Sequence, residues 1–245
     1  MLDLLYPLCV VLLGYVVLGI TGFGSALIIV PLLAWRWPLP EVVALTLLMD
    51  VPASLLLGGL NLRQVNVAEL RRLLPSMVVG SLVGLWLSGL LEPRWPLLLL
   101  GLYVASVGVN ALRPKDQASH APPAAAWGHV MGFAVGVVEM MFGTAGPLVV
   151  AWLSRRLPDV HMLRANTPIA IMLAASAVLL GMGWSGRLSH SELWLRWAGL
   201  MGAAVVGVLL GHRLAYRVPA ATLRKIVCGL LVVSGLTLVG HAWRG

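Results

Sequence analysis

Residues 4–35 contain no charged side chain across 32 positions. A continuous helix over that run would be about 48 Å long at 1.5 Å per residue, whereas the hydrocarbon core of a bilayer is only about 30 Å thick. Two complete crossings would need about 40 residues. The run is therefore too long for one spanning helix and too short for two. It also breaks in its middle, at Gly19-Ile20-Thr21-Gly22-Phe23-Gly24-Ser25, where glycine interrupts the helical ladder and Ser or Thr can cap the helix that restarts. Residues 127–153 pose the same problem more mildly, with a break at Phe142-Gly143-Thr144-Ala145-Gly146-Pro147. Two readings satisfy such a run: a broken crossing helix, or a hairpin that enters the membrane, turns and leaves on the same side.

Composition places these runs in a bilayer. Apolar residues make up 60% of the 245 and charged residues only 11%, against about a quarter in soluble domains. The charges separate eight apolar segments, at 4–35, 42–60, 73–91, 95–112, 127–153, 165–186, 193–211 and 226–243. The expected fold is an all-α polytopic membrane protein, which excludes a water-soluble enzyme, a disordered chain and a coiled coil. The formal charge of +8 follows from basic residues kept on the cytoplasmic side, so the expected partner is the lipid bilayer and not nucleic acid. Cys9 and Cys228 fall inside apolar runs and read as small buried hydrophobes. No positive charge precedes the first run, so it is expected to persist in the mature protein rather than serve as a cleaved signal. Tryptophans 35, 37, 95, 127, 184 and 194 fall near segment ends, as in an interfacial belt.

The charges arbitrate between the two readings. If both unusual runs are hairpins, one side collects Arg63, Arg71, Arg72, Arg113, Lys115, Arg155, Arg156, Arg164, Arg213, Arg217, Arg224 and Lys225, and the other keeps five, a split of 12 to 5. If both runs cross, the split is 9 to 8. The positive-inside rule prefers the hairpins, with both termini outside the cytoplasm.

The chain also reads as an internal duplication. Leu39-Pro40-Glu41-Val42 recurs as Leu157-Pro158-Asp159-Val160, Ala53-Ser54 as Ala175-Ser176, and Gly101-Leu102-Tyr103-Val104-Ala105-Ser106 as Gly229-Leu230-Leu231-Val232-Val233-Ser234. The offsets of 118, 122 and 128 grow in order, as insertions in a diverged repeat would produce. The two breaks lie 119 apart. Each half, 1–112 and 127–245, is then one hairpin and three crossings, and the odd crossing number inverts the second half relative to the first. Residues 113–126 are expected to be a cytoplasmic linker. Inverted repeats with discontinuous helices at matching positions are a secondary-transporter architecture whose interruptions mark the site.

The paired Gly-rich breaks, Pro31 and the hairpin-plus-three layout resemble the sulfite exporter TauE/SafE family over nearly the whole chain. Gly22-Phe23-Gly24-Ser25-Ala26 departs from the family's first motif, with Ser and Ala at expected glycines. The resemblance implies a multi-pass bacterial inner-membrane permease for sulfite or related organosulfur and organic anions, proton-linked and outward-directed.

A helix restarting inside the membrane presents unpaired N–H groups and the positive end of its dipole, which together suit an anion. Thr21, Gly22, Phe23, Gly24 and Ser25 at the first break, and Gly143, Thr144, Ala145 and Gly146 at the second, are the candidate substrate-binding residues. Ser25 reads as the cap of the first restart. Thr144 or Gly146 reads as the cap of the second, with Pro147 at the first helical position. Asn166 and Thr167, opening the next helix, are further candidates to line the cavity. Only Asp50 and Glu139 place acids well inside apolar sequence, and an intramembrane acid is a functional candidate by default. Glu139, just before the second break, is the leading candidate to carry a coupling proton. Asp50 precedes Val51-Pro52, where a role at a kink competes with it.

Nothing points to catalysis or a cofactor. Ser25 lies in GFGSA rather than a GxSxG elbow, and the six histidines form no HExxH or paired spacing that would hold a metal. The absence of a nucleotide-binding loop leaves ATP drive to a partner chain. The leading function is a secondary transporter of a small anion by alternating access, against a non-transporting membrane scaffold or an anion channel. Gly80-x-x-x-Gly84 serves helix packing within a protomer or in a homo-oligomer.

Overall fold

A computed structural model describes residues 2–59, 65–92, 94–112, 124–157 and 160–215, with scattered positions between 229 and 243. The described elements are helices: α1 (Leu2–Thr21), α2 (Ser25–Leu33), α3 (Leu39–Gly59), α4 (Val67–Leu90), α5 (Arg94–Leu112), α6 (Trp127–Phe142), α7 (Gly146–Arg156), α8 (Val160–Trp184) and α9 (Ser191–Leu214). Four of them, α3, α4, most of α8 and α9, are long and apolar enough to cross a membrane. Cys228, most of the last apolar segment and residues 113–123 of the expected linker lie outside the described residues.

The two overlong runs each resolve into a long arm, a glycine turn and a short arm. In the first, Gly22 and Gly24 take left-handed φ of 84° and 97°, a conformation that glycine adopts without the Cβ penalty. The chain then folds back on itself. Tyr6, near the start of α1, donates its hydroxyl to the Leu32 carbonyl near the end of α2 at 2.8 Å, and a Cβ at Gly14 would strike Ile29. In the second run Gly143 turns at φ 64° and caps α6 by donating its N–H to the Glu139 carbonyl. Gly128 near the start of α6 packs on the Trp152 ring near the end of α7. Both runs are antiparallel hairpins, and at 9 and 11 residues their short arms reach about half the hydrocarbon thickness.

Helix pairing comes in matched sets. Along α1 and α9, Gly207 meets Leu12 and Gly211 meets Val16, so these helices run parallel. Along α4 and α6, Gly132 meets Leu73, Gly136 meets Met77 and Gly80 meets Phe133, again in parallel. Gly58 at the end of α3 packs on Ile169 near the start of α8, so those two run antiparallel. Exchanging α1 with α6, α4 with α9 and α3 with α8 maps each pair onto another pair or onto itself. The close approach rests on small residues: a Cβ at Gly80 or Gly136 would sit on the carbonyl oxygen of Phe133 or Met77, and one at Gly211 on that of Val16. Such contact lets backbones pack where lipid offers no hydrophobic drive.

The hairpins enter from opposite ends of the bundle. At one end, Arg36 stacks over the Tyr6 ring at 4.9 Å, and Arg196 lies 4.5 Å over Trp37 while bridging Glu41 and Glu192 at 2.8 and 2.9 Å. At the other, the buried Glu69 takes Arg72 at 2.6 Å and Arg156 at 2.7 Å, tying the start of α4 to the end of α7. Along this path Arg36, Arg94, Arg187 and Arg196 collect at the first end, and Arg71, Arg72, Arg155, Arg156 and Arg213 at the second. The hydrophobic core lies between, around α3 and the first hairpin. Cys9 departs from its expected burial: it sits on the outer face of α1, where a thiol against lipid needs no partner.

Candidate functional site

Asp50 stands near the middle of α3, and the two hairpin tips converge on its level. Phe23 of the first tip packs against Gly146 of the second, within 3.4 Å of where a Cβ would lie. Between the tips is a small cavity lined by Gly24, Ser25, Asp50, Glu139, Gly143, Thr144 and Gly146, with Ala26, Leu27, Pro147 and Ile171 completing the wall. The non-atom space there is about 230 Å³, of which only about 10 Å³ can hold the centre of a water molecule. That is room for about one water, too little for a tetrahedral or pyramidal oxyanion.

The two tips are built differently. At the first, Gly24 rather than Ser25 occupies the N-cap position of α2, and no side chain caps the helix. Ser25 is the first helical residue and its hydroxyl donates to Asp50 Oδ1 at 2.9 Å. Tyr15 donates to the same oxygen at 2.8 Å and lies 3.4 Å from the Thr46 carbonyl. The expected Ser25 cap is therefore replaced: a carboxylate oxygen attracts the hydroxyl as a donor, leaving the first N–H groups of α2 without a side-chain acceptor.

At the second tip the cap is Ala145, not Thr144 or Gly146, and Gly146 is the first helical residue, which moves Pro147 to the second position. The acceptor comes from six residues upstream. Glu139 Oε2 takes the Ala145 N–H at 2.8 Å, so the carboxylate sits at the positive end of α7, where an anion is favoured. Its other oxygen, Oε1, and the Thr144 hydroxyl are buried without a hydrogen-bond partner. Tyr103 of α5 donates to the Thr144 carbonyl at 3.0 Å and steadies this tip from outside the hairpin.

The remaining candidates stand elsewhere. The Thr21 hydroxyl lies within hydrogen-bonding distance of the Val17 and Phe23 carbonyls, donating its one proton between them, and accepts the Phe23 N–H, fixing the turn itself. Gly22 supplies the left-handed turn, and Phe23 the contact between tips. Asn166 and Thr167 do not open α8, which begins at Val160. Asn166 accepts the Asn66 N–H at 2.7 Å and donates to the Met162 carbonyl, joining α8 to the entry of α4. Thr167 donates back to the Leu163 carbonyl. Neither lines the cavity. Tyr15 and Tyr103 are the site residues that sequence reasoning passed over. Each is a tyrosine inside an apolar run, where the hydroxyl needs a partner, and the need for one was the available signal.

The sulfite exporter TauE/SafE family profile matches residues 6–238. The chain belongs to that family. It is 46% identical over 201 residues to the probable inner membrane transporter protein TsaS of Comamonas testosteroni, covering 82% of this chain and 83% of that one. It is 28% identical over 234 residues to the probable sulfite/organosulfonate exporter TauE of Cupriavidus necator, covering 93% and 85%. No solved structure matches the chain. Family membership and the four long apolar helices make it a multi-pass membrane transporter.

Proposed function

We propose that the protein exports sulfite or a related organosulfonate across the inner membrane by alternating access between two inverted halves, with the anion held between the hairpin tips. The observation that carries this reading is the convergence of two helix restarts, from opposite ends of the bundle, on one buried cavity. Each restart supplies first-turn N–H groups and a positive dipole end, and Thr144 adds a hydroxyl still without a partner. Among the described residues no Lys or Arg lines the cavity, so the anion is held by dipoles and hydroxyls and can leave. Parallel pairing of α1 with α9 and of α6 with α4, around antiparallel α3 and α8, supports inverted repeats near 1–112 and 127–245. The sulfur-oxo substrate class rests on the family and on the names of the two relatives.

Orientation follows from the arginines. The end bearing Arg71, Arg72, Arg155, Arg156 and Arg213 is cytoplasmic by the positive-inside rule, which places the start of α1 outside. The small volume between the tips makes the arrangement a closed one, and a rocking of the halves against each other opens it to either side. Glu139 carries the coupling proton in this scheme. Sulfite flux into and out of proteoliposomes, with and without an imposed pH gradient, tests it. Saturable flux that answers to the gradient is expected; flux that rises linearly with sulfite would mark a channel, and no flux would remove transport of this substrate.

A further inference from the structure

The second hairpin already places a carboxyl group where a substrate would bind. Glu139 lies across the Gly143 turn from Ala145, and its Oε2 takes the Ala145 N–H at 2.8 Å at the start of α7. Its Oε1 and the Thr144 Oγ1, both buried and both belonging to residues that line the cavity, have no hydrogen-bond partner. The first tip has no such arrangement: Asp50 faces the Ser25 and Tyr15 hydroxyls, and no side chain caps α2. Pro147 further removes one N–H from the first turn of α7, so the Ala145 donor that Glu139 holds is a large share of what the second tip can offer. The cavity has room for about one water. An oxyanion needs more room than that, and departure of this carboxylate vacates both volume and a donor.

We propose that Glu139 is a tethered competitor for the anion. In the closed arrangement its carboxylate holds the Ala145 N–H. An incoming sulfur-oxo anion takes over that N–H together with the Thr144 hydroxyl, while Glu139 binds one proton from solvent and turns aside as a neutral acid. The inference rests on the transport reading above and specifies how proton and anion are coupled in it. The ionisable groups facing Glu139 are Asp50, from α3 across the cavity, and Tyr103, from α5 at the Thr144 carbonyl. Among the described residues, α4, α7 and α8 bring no acid or base to the cavity wall. Because the anion binds when the carboxylate is protonated, its affinity is highest at low pH and falls as pH rises through the titration of Glu139.

The test uses the whole protein in detergent, with methanesulfonate and sulfite as ligands; methanesulfonate keeps one charge at all working pH values. Calorimetry in two buffers of different ionisation enthalpy counts protons taken up as methanesulfonate binds. The wild type takes up protons on binding and binds more weakly as pH rises. Glu139→Gln retains an acceptor for Ala145 but lacks the charge; it binds roughly tenfold or more tightly at high pH, the equivalent of one charge-assisted hydrogen bond, without proton uptake. Wild-type binding with no proton uptake overturns the competitor role even if the variant does not fold. Tight proton-linked binding in the wild type with weaker binding in Glu139→Gln also overturns it, making Glu139 a direct donor to the anion. A wild type that neither binds nor carries either anion refutes the transport reading itself.

Discussion

Removal of one hydroxyl at Asp50 separates a charged acceptor from a neutral one. Tyr15 and Ser25 both donate to Oδ1, at 2.8 and 2.9 Å, and all three residues are buried. Neutral hydrogen bonds between membrane helices average only about 0.6 kcal/mol, because the unfolded chain in lipid also finds partners. Hydrogen bonds to a charged group contribute about 1.5–3 kcal/mol. With Asp50 ionised, Tyr15→Phe should cost about 1.5–3 kcal/mol. In an Asp50→Asn background, where the amide oxygen is a neutral acceptor, the same change should cost about 0.6 kcal/mol. The difference is a coupling energy of about 1–2 kcal/mol, measurable as a double-mutant cycle by reversible unfolding in mixed micelles. A cost of a few tenths in both backgrounds would refute the charged anchor and leave the first tip held by the Ser25 contact and packing alone.

The two arginine clusters should respond unequally. Arg156→Ala strips two hydrogen bonds from a Glu69 side chain that is 7% exposed and should cost about 1.5–3 kcal/mol. Arg196→Ala faces Glu41 and Glu192, at 46% and 76% exposure, and should cost about 0–1 kcal/mol; thermal unfolding in detergent compares the two, and equal shifts would contradict the burial argument. Gly136→Val drives a side chain into the Met77 carbonyl and should destabilise by about 1–3 kcal/mol. Gly202→Ala, with nothing within 4 Å of its added Cβ, should be neutral or stabilise by about 0.4–1 kcal/mol, and the same melts decide it. In a variant without native cysteines, a cysteine beside Arg155 should react with an impermeant reagent only from the cytoplasm, and one beside Arg94 only from outside. The reverse pattern would invert the topology.

Much of the architecture was legible in the chain because lengths and glycines constrain it directly. A charge-free run of 32 residues has few ways to fit a bilayer, and the 12 to 5 split of arginines and lysines chose the hairpin that Tyr6 and Leu32 then close. Gly80 and Gly84 read as packing residues and do pack, against Phe133 and Met140. Gly207 and Gly211, at an offset of 127, have the same spacing and pack α9 on α1. Asp50 and Glu139 stood out as isolated acids and do face one cavity.

Partnership was the part the sequence did not disclose. Ser25 has the chemistry of a cap, but Asp50, 25 positions later, is the better acceptor for its hydroxyl, and only the tertiary fold brings them together. Ala145 carries no signal as a cap because its partner, Glu139, acts from across the turn. Asn166 resembles a cavity residue until its bond to Asn66, 100 positions away, assigns it to a helix junction. Local pattern gives the helices and their breaks; the hydrogen bonds that tell one tip from the other depend on contacts no local pattern contains.

The most direct test of the central claim is to locate the anion. Selenite has the shape and charge of sulfite and scatters anomalously, so crystals of the protein soaked in selenite would report its position without a fitted ligand. The expected result is an anomalous peak between the tips, within hydrogen-bonding distance of Thr144 Oγ1 and the Ala145 N–H, with the Glu139 carboxylate moved away. A peak elsewhere, with the tips still closed on an unmoved Glu139, would contradict an anion site at the convergence of the two hairpins.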